Sequence, residues 1–122
     1  MTDIENADKK FQKELNSGTS ALVLLGVLGD AGEPMYGYQI VKHLENIIEG
    51  VPMMKHGALY PVLRSLEANG LLGSRVEPSV SGPPRRYYSI TDLGREALGR
   101  WAGMWTQTKR FVDNVLGGNT HE

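Results

Sequence analysis

Apolar side chains recur along this chain at helical spacings first, alternate like strands later, and return to helical spacing near the end. Ile4, Ala7, Phe11 and Leu15 fall three or four residues apart, which lines them along one side of a short N-terminal helix. A polar stretch, Asn16-Ser17-Gly18-Thr19-Ser20, separates that helix from Ala21-Leu22-Val23-Leu24-Leu25-Gly26-Val27-Leu28, which is apolar nearly all round. Such a run fits a buried strand or a buried helix; Ser and Thr ahead of it as caps, and Gly29-Asp30-Ala31-Gly32 as a stop, favour the helix. After a turn at Gly32-Glu33-Pro34, Tyr36, Ile40, Leu44 and Ile47/Ile48 predict an amphipathic helix of about three turns, closed by Gly50 and Pro52.

The third helix carries Leu59, Val62, Leu63 and Leu66 on its core face, with Arg64, Ser65 and Glu67 turned elsewhere. Pro61 has no N–H and collides with the preceding turn, so this helix should begin close to Gly57, and Asn69-Gly70 supplies a left-handed stop. Residues 71–77 and 85–90 read as two short strands around Pro78-Ser79-Val80-Ser81-Gly82-Pro83-Pro84, a connection whose residues resist regular structure and should project as a flexible tip. Thr91 then caps a last helix with Asp92 in its first turn. Its apolar positions Ala97, Trp101, Met104, Phe111 and Val115, completed by Thr108, follow a four-three spacing, and Leu98, Trp105, Val112 and Leu116 add a flank. That is a coiled-coil seam widened on one side, more apolar surface than a small domain covers alone. A homodimer about a two-fold axis is the expected consequence.

At 122 residues the chain suits one small domain, divided as residues 1–18 (helical extension), 19–91, 92–117 (dimerisation helix) and 118–122 (tail). Without cysteine there is no disulfide framework, thiolate metal site or thiol switch, and the composition suits a reducing, cytoplasmic compartment. The charged N-terminus and the brevity of the longest apolar run predict neither a secretory signal nor a membrane helix. The net charge of −1 argues at first against a nucleic-acid partner. Segment by segment it does not: residues 1–50 carry −4, residues 51–100 carry +3 and residues 101–122 are neutral. The basic middle holds Lys55, Arg64, Arg75, Arg85, Arg86, Arg95 and Arg100, interleaved with Tyr60, Tyr87 and Tyr88.

Three helices followed by a two-stranded ribbon is the order of a winged helix-turn-helix domain, so the fold class expected is mainly α with a small β-ribbon. Three stretches are more specific than the order: Tyr36-Gly37-Tyr38-Gln39-Ile40, then Gly57-Ala58-Leu59-Tyr60-Pro61-Val62-Leu63-Arg64-Ser65-Leu66-Glu67 running to Leu72, then Gly82-Pro83-Pro84-Arg85-Arg86-Tyr87-Tyr88-Ser89-Ile90 running to Gly94. Over about residues 19–98 the chain closely resembles the PadR family of bacterial transcriptional regulators, and its tail resembles the short, single-helix subfamily that dimerises through that helix. The resemblance implies a dimeric repressor that binds an inverted-repeat operator in double-stranded DNA and releases it on binding a small-molecule effector.

For DNA contact the expected residues are Lys55 and His56 ahead of the third helix, Gly57 and Ala58 at its start, and Tyr60 and Arg64 within it. A helix start offers free N–H groups to phosphate, and Ala58 is small enough to meet a thymine methyl. Tyr60 has two readings of equal weight, a phosphate donor or a half-buried packing residue. Tyr38, Gln39 and Lys42 on the second helix are candidate positioning contacts, while Tyr36 is expected to pack. Arg85 and Arg86 resemble the family's wing contact; one of them could instead anchor the ribbon, and exposed edge strands often carry charge in any case.

The dimer interface is expected to use Phe11, Leu15, Ala97, Trp101, Met104, Trp105, Thr108, Phe111, Val112 and Val115. Trp105 falls where some family members place a tryptophan that stacks on planar aromatic ligands, which makes Trp101, Met104 and Trp105 the candidate ligand residues. The alternative, slightly favoured, is that these side chains fill and close the interface. His43, His56 and His121 are scattered, and no paired nucleophile, metal spacing or phosphate-binding loop invites an enzyme reading, so no catalytic residue, cofactor or metal is expected. The competing function is a winged-helix module for protein contact without operator binding.

Overall fold

The computed structural model describes residues 2–47 and 56–117. Its elements run α1 (Asp3–Ala31), β1 (Met35–Tyr36), α2 (Gly37–Ile47), α3 (His56–Ala68), β2 (Leu72–Glu77), β3 (Arg85–Ile90) and α4 (Asp92–Val115). Helix α1 is a single helix of 29 residues, where the polar stretch at residues 16–20 had suggested two. The side chains that looked like breakers turn back onto their own helix: Thr19 Oγ1 donates to the Leu15 carbonyl at 3.1 Å and Ser20 Oγ to that of Asn16. Gln12 also donates to Asn16 at 2.9 Å, and no cap forms at Ser20. The true N-cap is Thr2, in a capping box with Glu5 whose hydrogen bonds hold the Glu5 carboxyl below its ordinary range. Gly32 ends the helix in the left-handed conformation, φ 71°.

Strand β1 has no counterpart in the apolar pattern, being two residues long. It pairs antiparallel with β3, which pairs in turn with β2, so the ribbon is the larger part of a three-stranded sheet in the order β1-β3-β2. Tyr36 therefore belongs to the sheet, and α2 starts at Gly37. The turn between them is fixed by Gln39, whose Oε1 accepts the Tyr36 N–H at 3.0 Å, the backward half of a capping box.

Six side chains, Leu24, Leu25, Leu28, Ile40, Leu59 and Leu63, form the fully buried centre. Leu66, Leu71, Leu72 and Tyr88 extend it beneath the sheet, and Val62 packs at its margin as the third-helix pattern predicted. The wing is welded to α4 at one junction. Thr91 donates its N–H to the Leu71 carbonyl at 3.2 Å and its hydroxyl to the Gly70 carbonyl at 2.7 Å, while the same oxygen caps α4 by accepting from Gly94 N at 3.0 Å. Gly94 is buried here and must be glycine, because a Cβ would run into the Leu71 carbonyl oxygen and Ile90. The wing tip is organised around Ser79, whose Oγ lies 2.9–3.0 Å from the carbonyl oxygens of Ser81, Gly82 and Pro83.

Candidate nucleic-acid interface

Alternation along β2 and β3 sorts the basic side chains into two sets. Register pairs Arg75 with Tyr87 and Glu77 with Arg85, and places Tyr36 opposite Tyr87, so these five share the outer face of the sheet. Ser74, Arg86 and the buried Tyr88 belong to the inner face, toward α3. The two adjacent wing arginines thus point to opposite sides.

Arg85 lies over the Tyr36 ring, its guanidinium carbon 4.5 Å from the ring centroid, and Tyr36 meets Tyr87 edge to face at 5.3 Å. Tyr36 packs, as expected, and Arg85 is held over its ring. Arg86 instead donates from Nη1 to Ser74 Oγ at 2.9 Å, and Ser74 donates onward to Glu67 Oε2 of α3 at 2.6 Å. Beside them Tyr60, Arg64, Glu67, Arg86 and Tyr88 line an open cleft of about 390 Å³ between α3 and the wing. Burial raises the Tyr88 phenol above its ordinary value, while the nearby Arg86 and Arg64 guanidiniums pull the other way.

Helix α3 buries Leu59, Leu63 and Leu66 and exposes Gly57, Ala58, Pro61, Arg64 and Ser65. Its outer face therefore begins with two of the smallest side chains. Gly37 at the head of α2 is required by the fold, since a Cβ there would collide with the Tyr60 ring. That contact makes Tyr60 a packing residue, and its ring also lines the cleft. A Cβ on Gly57, by contrast, would meet nothing within 4 Å. His56 opens α3, and Lys55 lies outside the described residues.

Among the other residues expected at this surface, Tyr38 is exposed with the Lys42 ammonium 5.9 Å from its ring centroid, and Lys42 also reaches Glu45 at 3.5 Å. Gln39 is exposed but its amide oxygen is committed to the α2 cap. Among the described residues no carboxylate pairs directly with Arg64, Arg85 or Arg86, whereas Arg75, Arg100 and Lys109 are each paired. Sequence reasoning missed Ser74 and Glu67. Strand alternation already put Ser74 and Arg86 on one face once register was known, but nothing in the sequence alone set that register.

The second expected site lies elsewhere. Trp101, Met104, Trp105 and Thr108 of α4 face Glu14, Leu15, Gly18, Thr19, Ala21 and Leu22 of α1 across a mainly apolar cleft of about 490 Å³. Trp101 and Ala97 pack partly against the core, whereas Met104, Trp105, Phe111, Val112 and Val115 are exposed, as are Phe11 and Leu15 on α1. Among the described residues no cluster of His, Asp and Glu has the makings of a metal site, and no helix is long and apolar enough to cross a membrane.

Comparison with known proteins agrees with this geometry. A family model described as the transcriptional regulator PadR-like family matches residues 24–100. A crystal structure of a PadR family transcriptional regulator from Eggerthella lenta is 34% identical, with a TM-score of 0.77 over 93% of this chain and 95% of that one. A PadR-like regulator from Bacillus cereus is 28% identical, with a TM-score of 0.67 over 84% and 96% of the two chains. A transcriptional regulator of Mycobacterium tuberculosis is 42% identical over 69 residues, 53% of this chain and 57% of that protein. With its winged-helix fold and a family match that spans α3, the wing and the start of α4, this chain belongs to the PadR-like family of transcriptional regulators.

Proposed function

We propose that the protein is a homodimeric repressor that binds an inverted-repeat operator through α3 and the wing, and that a small planar effector acting between its long helices releases it. The observation that carries the DNA reading is the coincidence of two features on one surface. These are an α3 face that opens with Gly57 and Ala58, and the Arg64 and Arg86 side chains flanking one cleft. Small residues let a helix sit close to base edges, and arginines without carboxylate partners are available to phosphates. Lys55 and His56, preceding Gly57, are assigned to the same surface on sequence grounds, with Tyr38 and Lys42 as backbone contacts on α2.

Dimerisation is supported by the apolar residues left outside: Phe11, Leu15, Met104, Trp105, Phe111, Val112 and Val115 lie on two helices, exposed among the described residues. A second copy related by a two-fold axis covers them and sets two α3 helices about one DNA turn apart. The effector reading rests on Trp101, Met104 and Trp105 lining the α1–α4 cleft, where an aromatic ring could stack.

Binding of the purified protein to genomic fragments, followed by titration of a recovered fragment between low and moderate salt, tests the first claim. With about four phosphate contacts per subunit, affinity should fall by several orders of magnitude across that range. A salt-insensitive isotherm, or no recovered fragment, would instead favour a protein-contact module. Quenching of tryptophan fluorescence by planar aromatic compounds, lost in Trp105→Phe, tests the effector; equal quenching in both proteins removes Trp105 from that role.

A further inference from the structure

Arg64 and Arg86 come from different elements yet border the same cleft, and each needs a reason to be there. Arg64 stands eight residues after the first residue of α3, about 12 Å along the helix axis from its N-terminus. In a helix that enters a groove by its N-terminal end, that distance puts Arg64 at the flank, where the sugar–phosphate backbone passes. Arg86 reaches the cleft from the inner face of β3 and is aimed there by a chain of two hydrogen bonds, Arg86 to Ser74 at 2.9 Å and Ser74 to Glu67 at 2.6 Å. Glu67 belongs to the same helix as Arg64, so the chain ties the wing arginine to α3 itself. Two guanidiniums and one carboxylate leave the cleft with a single positive charge to satisfy, and the rings of Tyr60 and Tyr88 complete its lining. That singly charged pair of guanidiniums fits one phosphodiester group, which guanidinium forks match in geometry.

Resting on the DNA-binding reading above, we propose that Arg64 and Arg86 close together on one phosphate of the DNA backbone. Ser74 and Glu67 are the positioning residues that hold Arg86 toward it. Arg85, stacked on Tyr36 on the far face of the sheet, tethers the wing and takes no part in this contact.

Phosphate contacts do not depend on base sequence, so the probe is a fluorescein-labelled duplex of about 30 base pairs and arbitrary sequence, titrated at about 50 mM salt and upward. Arg64→Ala and Arg86→Ala should each weaken binding at least tenfold and lower the salt slope by about one per subunit, about two for the dimer. Because both act on one phosphate, the double variant should bind within about twofold of the weaker single variant, with no further loss of slope. Arg85→Ala should leave the slope unchanged. Ser74→Ala should cost a few-fold in the wild-type background and nothing in Arg86→Ala, and Ser74→Thr, which keeps the hydroxyl, should restore binding.

Arginine effects that multiply, or a Ser74→Ala loss that persists without Arg86, overturn the shared seat while leaving DNA binding intact. A wild-type protein that does not bind the duplex at all overturns the DNA reading itself. Excess displacement of the duplex by sodium phosphate over sodium chloride of equal ionic strength should disappear in the double arginine variant; excess displacement that persists there would place the competing phosphate seat elsewhere and overturn this one.

Discussion

The two ends of α1 make the sharpest contrast in the molecule. From Ser20 to Leu28 the helix is the backbone of the core, with Leu24 and Leu25 fully buried; from Ile4 to Leu15 its apolar side chains stand in the open, Phe11 at 63% exposure. Helix α4 repeats the division in reverse order. Gly94, Ala97, Leu98 and Trp101 pack on the head, and beyond them Met104, Phe111 and Val115 are exposed at 56%, 68% and 68%. Both helices are continuous, so the difference is not one of folding propensity. The head is closed by its own residues, while the distal halves of α1 and α4 carry an apolar face that no described residue covers. One half of each helix specifies the fold, and under the dimer proposal the other half specifies assembly.

The largest effect should come from breaking the closed end. Leu63→Ala deletes a fully buried side chain at the centre of the head and should cost about 2–5 kcal/mol, depending on how far Leu24, Ile40 and Leu59 collapse into the space. Chemical denaturation followed by circular dichroism measures it. A loss below about 1 kcal/mol would mean that the head is less tightly packed than the contrast requires.

The open end should answer differently to the same kind of insult. Phe111→Asp puts a charge where the proposed second copy packs, and should convert the dimer to monomer in sedimentation at micromolar concentration with the helical spectrum of the head retained. Desolvating an unpaired carboxylate in an apolar interface costs several kcal/mol, enough to dissociate a contact that an exposed surface position tolerates freely. If the wild type and the variant sediment alike, the apolar face belongs to some other partner.

How much of this could be read from the sequence follows the same division. The core face of α3, the Thr91 cap, the Gly70 stop and both wing strands were legible because each rests on local spacing or on one residue's backbone preference. The continuity of α1 was not, since Asn16, Thr19 and Ser20 look like caps in sequence, whereas in the helix Thr19 and Ser20 donate back to backbone carbonyls and Asn16 accepts from the Gln12 side chain. Strand β1 was not, because two residues carry no period. At the candidate DNA surface, the residue types of α3 and the wing stood out as basic and small. The opposite facing of Arg85 and Arg86, and the link from Glu67 through Ser74, depend on strand register, a long-range property that no local pattern encodes.

A gentler probe separates what α3 does for the fold from what it does for DNA. Gly57→Ala replaces the least helix-favouring ordinary residue at a position where the added methyl meets nothing, so stability should rise, by up to about 1 kcal/mol. The same methyl stands on the face proposed to enter the groove, so affinity for a recovered genomic fragment should fall by several-fold. Stability and binding moving in opposite directions would mark Gly57 as kept for its partner. Binding that is unchanged or improved would remove Gly57 from the contact surface.

The smallest effect is one of pH, and it belongs to the closed end alone. Burial holds the Tyr88 phenol protonated beyond its ordinary range near 10, against the opposing pull of Arg86 and Arg64. A folded-state value raised above the unfolded one means that the unfolded chain loses this proton first as pH rises. The stabilisation is then complete below about pH 10 and is lost as pH climbs through the folded value. Denaturation midpoints measured from pH 9 upward should fall more steeply in the wild type than in Tyr88→Phe, which has no proton to lose. Arg86→Ala should push the phenol higher still by removing a cation that favours the phenolate. Phe111→Asp, far along α4, should keep the wild-type alkaline slope; a changed slope there would mean that the head and the distal helices do not respond as separate regions.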